Sequence, residues 1–276
     1  MNRFTLAAAA LAVALSGAAC KSSPKRPTGL AQAQAAYDAG EFDKCVTLCT
    51  AAIDSGADPG AAHLLRGKAY EKGGDAVRAI ADFEKVRRSD PTRGEAACRQ
   101  ARCHLSLGQY DQAETVMEWM LSQVYDSLSA RDQMFAHAVY GEVNLAMGNF
   151  PRAIEAFERS LKVARSSRAL AADPAAAIVH YNLSRAQFER NSFKKAREAF
   201  VGYVDVKQRG GGEFNADDAY TLAVLHFLCG DIRHSRELAA KLPAEQQGRM
   251  NEVLSGEAFS VRALYDQTRP DKEPNE

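Results

Sequence analysis

The chain is poor in the features that mark several large protein classes. Its most apolar stretch, Phe4 to Leu15 (FTLAAAALAVAL), has only twelve residues. At 1.5 Å per residue that is about 18 Å of helix against a hydrocarbon core of ~30 Å, so a permanent span is disfavoured. Excess charge of either sign is missing, with Lys plus Arg at 35 and Asp plus Glu at 35. A dedicated nucleic-acid binder needs a basic surplus to neutralise phosphates, and that class is set aside. Six cysteines in 276 residues are too few for a disulfide-stapled mini-fold, and the lack of a C-x-x-C pair argues against thioredoxin-like redox chemistry and zinc ribbons. There is no G-x-S-x-G, no H-E-x-x-H, no Walker lysine loop and no G-x-G-x-x-G after a strand, so no catalytic signature points to an enzyme. What remains, 46% hydrophobic and 25% charged residues with one tryptophan, is the composition of an ordinary folded protein.

The N-terminus reads as a leader. A single basic residue, Arg3, precedes the apolar run, and Ser16-Gly17-Ala18-Ala19 leads into Cys20, the pattern of a signal peptide over residues 1–19. The small residues before Cys20 resemble the bacterial lipobox, in which cleavage before a cysteine is coupled to its lipid modification. That resemblance implies lipid attachment at Cys20. Ordinary cleavage after Ala19, giving a soluble periplasmic protein, is the alternative. Two or more acyl chains anchor stably where one binds only marginally. Residues 20–29 are polar and contain Pro24 and Pro27, as expected of a tether. Lys21 stands where lipoproteins retained in the inner membrane carry Asp, which points to an outer-membrane anchor facing the periplasm.

The body repeats. A turn residue, an aromatic or apolar residue two positions on and a small residue three further recur six times: Gly40 with Phe42 and Cys45, Gly74 with Ala76 and Ala79, Gly108 with Tyr110 and Ala113, Gly148 with Phe150 and Ala153, Asn191 with Phe193 and Ala196, Gly230 with Ile232 and Ser235. Successive turn positions differ by 34, 34, 40, 43 and 39, a base period of 34 with excess residues at 128–133, 168–176 and 211–215. Within a unit, apolar residues such as Ala76, Ala79, Ile80, Phe83 and Val86 fall on one side of a helix.

A 34-residue helical hairpin with this signature resembles the tetratricopeptide repeat. The second unit matches at Gly67, Tyr70, Gly74, Ala79, Phe83 and Pro91, and the fourth at Gly141, Gly148, Ala153 and Phe157. The resemblance implies an all-α, right-handed superhelix of about six units, near residues 26–59, 60–93, 94–127, 134–167, 177–210 and 216–249, within an array over 30–243. Capping helices are expected at 244–268, built on Met250, Val253 and Leu254, then Val261, Leu264 and Tyr265. The polar tail at 269–276 is expected to be disordered.

In such arrays the first helix of each unit lines an inner groove, and the resemblance places Tyr37, Lys68, Arg102, Glu142, Tyr181, Arg185, Phe188, Tyr220 and Phe227 there. Two aromatic pairs spaced by seven, Tyr181 with Phe188 and Tyr220 with Phe227, lie two turns apart on their helices. They are expected either to form an aromatic binding surface or to be covered by the segment after Pro243. The carboxylate clamp of chaperone-binding members is not present: Leu64, Lys68, Arg99, Phe135 and Val139 occupy the relevant helices. An apolar partner segment suits this groove better than an acidic C-terminus.

The residues that look chemical have a packing explanation. His63, His137 and His180 share the fourth position of their units and His104 and His226 the eleventh, with His234 just after a turn. No two have metal-ligand spacing, so no metal is expected. Cys45 and Cys49 fall at the small and large core positions of the first unit, and buried free thiols are expected. Trp119 points away from Met117 and Met120, and burial under the 128–133 excess is favoured over a binding role. No cofactor, nucleic acid or small-molecule substrate is expected. Six such repeats behind a lipidated cysteine resemble the pilotin-type lipoproteins of type IV pilus secretins and the repeat lipoproteins of gliding-motility machines. The implied role is a non-enzymatic adaptor that binds protein partners in the periplasm to assemble or stabilise a cell-envelope complex, foremost a motility machine (gliding apparatus or type IV pilus), with a secretin pilotin proper or an adaptor recruiting an envelope-biogenesis enzyme as the alternatives.

Overall fold

Six times along the chain a helix stops and reverses by the same backbone turn, which is why one residue type recurs there. In each turn the amide of the turn residue donates to the carbonyl three residues back, and the next amide donates to the carbonyl five back. Gly108 N to Leu105 O is 3.0 Å and Gln109 N to His104 O is 2.9 Å, and Asn191 and Ser192 repeat the pair at 2.8 and 2.9 Å. This Schellman closure needs a left-handed residue at its pivot. The five glycines have φ between 71° and 81°, and Asn191, the non-glycine that tolerates this region best, has 56°.

The structure is a computed structural model and describes residues 29–56, 58–86 and 90–255. The expected signal peptide, Cys20, nearly all of the tether, the capping residues Val261, Leu264 and Tyr265 and the tail lie outside the described residues. In chain order the helices are α1 (Gly29–Asp38), α2 (Phe42–Asp54), α3 (Pro59–Lys72), α4 (Ala76–Lys85), α5 (Arg93–Ser106), α6 (Tyr110–Gln123), α7 (Ala130–Ala146), α8 (Phe150–Ala164), the short α9 (Arg168–Ala171), α10 (Pro174–Glu189), α11 (Phe193–Arg209), α12 (Ala216–Leu228), α13 (Ile232–Ala239) and α14 (Ala244–Ser255). Among the described residues there is no strand, and no helix is long and apolar enough to cross a membrane. The hairpins α1–α2, α3–α4, α5–α6, α7–α8, α10–α11 and α12–α13 stack into the all-α superhelix.

What joins one helix to the next is a small residue facing a large one. The small positions on the second helices, Cys45, Ala79, Ala113, Ala153, Ala196 and Ser235, are all wholly buried. One turn later come Cys49, Phe83, Met117, Phe157, Phe200 and Ala239, also buried. Glycines on the first helices let the rings in: a Cβ on Gly67 would lie 2.6 Å from the Phe83 ring, and one on Gly141 2.4 Å from that of Phe157. Polar ties reinforce the same contacts. The Ser160 hydroxyl donates to Met134 O at 2.7 Å and the Ser235 hydroxyl to Ala223 O at 2.8 Å. Buried Asp82 accepts two bonds from Arg66 at 2.8 Å and faces His63 Nδ1 at 2.8 Å, while Arg66 also donates to Thr50 at 2.9 Å. That node ties α2, α3 and α4 together.

The excess residues at 128–133 follow a short turn and run into α7. Residues 125–127 form a 3-10 turn, and Leu128 behind it packs where a Gly94 Cβ would be, at 2.3 Å. Trp119 is half-buried in the same cluster, with the Arg93 guanidinium 4.9 Å from its ring centre. The 168–176 excess contains α9. Cys45 and Cys49 are buried free thiols with sulfurs 3.9 Å apart, and burial pushes Cys49, Cys98 and Cys103 up to about 12. His63, His104 and His137 bond within the array to Asp82, Gln109 and Tyr125. At the end, Met250 and Val253 of α14 close the apolar face of α12 over Tyr220 and Val224.

Gly141→Ala forces a methyl group into the Phe157 ring and should cost about 1–3 kcal/mol by overpacking. Chemical denaturation monitored by circular dichroism checks this; an unchanged midpoint would mean that this interlock does not hold α7 to α8.

Candidate partner-binding groove

The first helices carry charge that is paired from unit to unit. Lys68 on α3 lies 5.5 Å from the centre of the Tyr37 ring on α1 and 3.2 Å from Glu95 on α5. Arg99 on α5 binds Glu95 at 2.9 Å and reaches back to Glu71 on α3 at 2.8 Å. Burial by itself would raise the pKa of Glu95, but Lys68 and Arg99 outweigh it and hold the carboxyl below its ordinary value. This end of the groove is thus largely neutralised by its own side chains. Its cleft, about 500 Å³, is lined by Leu30, Gln34, Leu64, Lys68 and Glu95 among others.

Charge is left over further along. A cleft of about 530 Å³ opens between α5, α7 and α10, with Arg102, Glu142, Leu145, Ile178, Tyr181 and Arg185 in its wall. Arg102 approaches Glu142 only to 3.8 Å and is half-exposed. Arg185, also partly exposed, makes no hydrogen bond or ion pair with a described residue. Ile178 at the rim is 55% exposed. Four residues assigned to the groove from sequence, Arg102, Glu142, Tyr181 and Arg185, meet here, and Ile178, Asn182 and Tyr203 join them.

The aromatic surface expected at the last two units is not exposed. Tyr181, Phe188 and Tyr220 are 5%, 6% and 3% accessible, and Phe227 is packed against the last core cluster. Tyr220 is closed over by α14, the covering segment that the alternative reading foresaw. Tyr181 and Phe188 are closed by the second helix of their own hairpin: Tyr181 lies 6.3 and 5.6 Å from the rings of Phe200 and Tyr203, and Phe188 lies 5.5 Å from that of Phe193. The signal was present in the sequence, since Phe193, Phe200 and Tyr203 repeat at helical spacing on α11. These rings serve the core, and of them Tyr181 and Tyr203 keep an edge on the cleft. One cluster that linear spacing hides also emerges: His226, Asp231 and His234 converge at the last repeat turn.

The chain is recognisable in comparison with known proteins. Sequence profiles described as tetratricopeptide repeat match residues 30–94 and 141–209, and a second such profile matches 72–131. No curated protein sequence matches. Among solved structures, PilF of Pseudomonas aeruginosa superposes with a TM-score of 0.60 at 16% identity, over 88% of this chain and 96% of that one. PilW, a type IV pilus biogenesis factor, gives 0.60 at 16% identity over 86% and 96%. The APC/C hetero-tetramer Cut9-Hcn1 gives 0.60 at 13% identity over 87% of this chain, which spans 42% of that chain's length. At these identities the likeness is one of fold. Repeats of this kind generally serve as non-enzymatic scaffolds, and with matching profiles, turn geometry and interlocked hairpins in agreement, the chain belongs to the tetratricopeptide-repeat family.

Proposed function

We propose that the protein is a lipid-anchored, non-enzymatic adaptor that holds a protein partner of a cell-envelope complex in its inner groove. The observation that carries this reading is the cleft at Arg102, Glu142, Ile178 and Arg185. A half-exposed arginine, a second arginine with no ion-pair partner among the described residues and an exposed isoleucine border one concavity. This combination suits a segment that brings an apolar side chain and a carboxylate or carbonyl acceptor. Internal pairing uses up the charges near α1 and α3, so the open chemistry is concentrated at the centre of the array.

The signal peptide and Cys20 support an anchor facing the periplasm, and Lys21 supports the outer membrane. The superposition with PilF and PilW favours pilus assembly, and with it a secretin pilotin, over a gliding apparatus as the motility machine served.

Two outcomes test the reading. Arg185→Glu should leave the helical circular dichroism and melting temperature unchanged and weaken partner capture by about 2 kcal/mol, roughly 30-fold, seen as loss of envelope proteins that co-purify after crosslinking in cells. Equal co-purification would remove the cleft from the account. Cys20→Ala should move the protein from the membrane pellet to the soluble periplasm, and unchanged fractionation would remove the lipid anchor while leaving the groove untouched.

A further inference from the structure

We infer that the turn between α12 and α13 is a site for one divalent transition-metal ion, zinc(II) foremost, bound by His226, Asp231 and His234. The Schellman turn builds it. Asp231 N donates to His226 O at 2.9 Å, which brings the last turn of α12 alongside the first residue of α13. Asp231 is the N-cap residue of α13 and His234 stands three residues into that helix. His226 Nδ1 lies 3.0 Å from Asp231 Oδ2, and His234 Nδ1 lies 2.8 and 2.9 Å from the two carboxylate oxygens. One ligand atom from each of the three residues falls within 4.8 Å of the others.

The same backbone positions in the other five turns show that this trio is particular to the sixth. Reading the residue before the reversal, the cap and the third residue of the next helix gives Ala36, Glu41 and Lys44, then Tyr70, Asp75 and Arg78, then His104, Gln109 and Gln112, then Asn144, Asn149 and Arg152, then Gln187, Ser192 and Lys195. In the first two turns a cation at the third position pairs with the cap carboxylate: Lys44 with Glu41 and Arg78 with Asp75. In the sixth, two imidazoles take the place of that single cation, and both turn Nδ1 toward one carboxylate.

The donor set is two nitrogens and an oxygen, which suits zinc and leaves a fourth position for water or for a donor from elsewhere. Tetrahedral zinc at about 2.0–2.2 Å from each ligand separates neighbouring ligand atoms by about 3.3 Å. The observed nitrogen–oxygen separations of 2.8–3.0 Å need to open by a few tenths of an ångström, and the three ligand atoms, all within 4.8 Å of one another, close around the ion. His234, 58% exposed, has the room to move and leaves an entry path. Arg197 is the opposing charge: its Nη1 lies 3.4 Å from His226 Nδ1 and 3.8 Å from Asp231 Oδ2. The nitrogen of His226 cannot donate to Asp231 and accept from Arg197 at once. A metal ion in the centre takes both imidazole lone pairs and leaves Arg197 as an outer hydrogen-bond donor to the carboxylate.

The test is calorimetric titration of zinc(II), with cobalt(II) as a visible-absorption probe, into tag-free full-length protein stripped with a chelator. The wild type should bind one equivalent, with a cobalt spectrum that lacks the intense thiolate band. His234→Ala, on an exposed side chain, and Asp231→Asn, which keeps the helix cap, should each weaken binding about tenfold or more with unchanged circular dichroism. Absence of binding, a thiolate band, or equal affinity in His234→Ala would each overturn the assignment.

Discussion

No hairpin in this chain can hide its apolar side alone, and that constraint organises everything else. Four of the six second helices present a small residue and, one turn on, a large one (Phe83, Met117, Phe157 and Phe200), and the neighbouring first helix must supply the space. Gly67 and Gly141 supply it for Phe83 and Phe157 so completely that a methyl group would overlap the ring. Close-packed interfaces of this kind have discrete fits, so the units stack in one way and the array has a defined inner side. The stack must also be ended, and α14 does this with Met250 and Val253.

Once packing has taken the apolar side, the polar residues of the first helices are what remains for the groove. They are not spent evenly. Near α1 and α3 one lysine, one arginine and two glutamates, Lys68, Arg99, Glu71 and Glu95, bind each other within α5 and across to α3, which stiffens the array and leaves little to offer. At the far end aromatic rings fill the space between α10, α11 and α12. The centre, around Arg102, Glu142, Ile178 and Arg185, retains open volume and a half-exposed arginine, Arg102, held only at 3.8 Å from Glu142.

Much of this was legible in the sequence, for physical reasons. The turn pivot needs a left-handed residue, so glycine marks it five times and asparagine once, and the period follows directly. The positions of Arg102, Glu142 and Arg185 on one side of the stack could be read because every unit shares the same register. The sequence left the aromatic pairs open between a binding surface and a covered core, because helical spacing fixes the direction of a side chain on its own helix and says nothing of what the next helix brings. Tyr181 met Phe200 and Tyr203, and Tyr220 met α14. The trio at the sixth turn was hidden for a related reason. His226 and His234 are eight apart, a spacing that places ligands together only when the chain reverses between them, and spacing rules for a continuous helix do not apply there.

The central claim, that the working surface is the inner cleft and not the outside of the stack, is tested most directly by a photo-crosslinking amino acid placed in living cells. It would stand at Ile178 on the cleft rim or at Val201, which is similarly exposed on a second helix. The account predicts that Ile178 yields a discrete crosslinked envelope protein and that Val201 does not. Crosslinks from Val201 with none from Ile178 would contradict it.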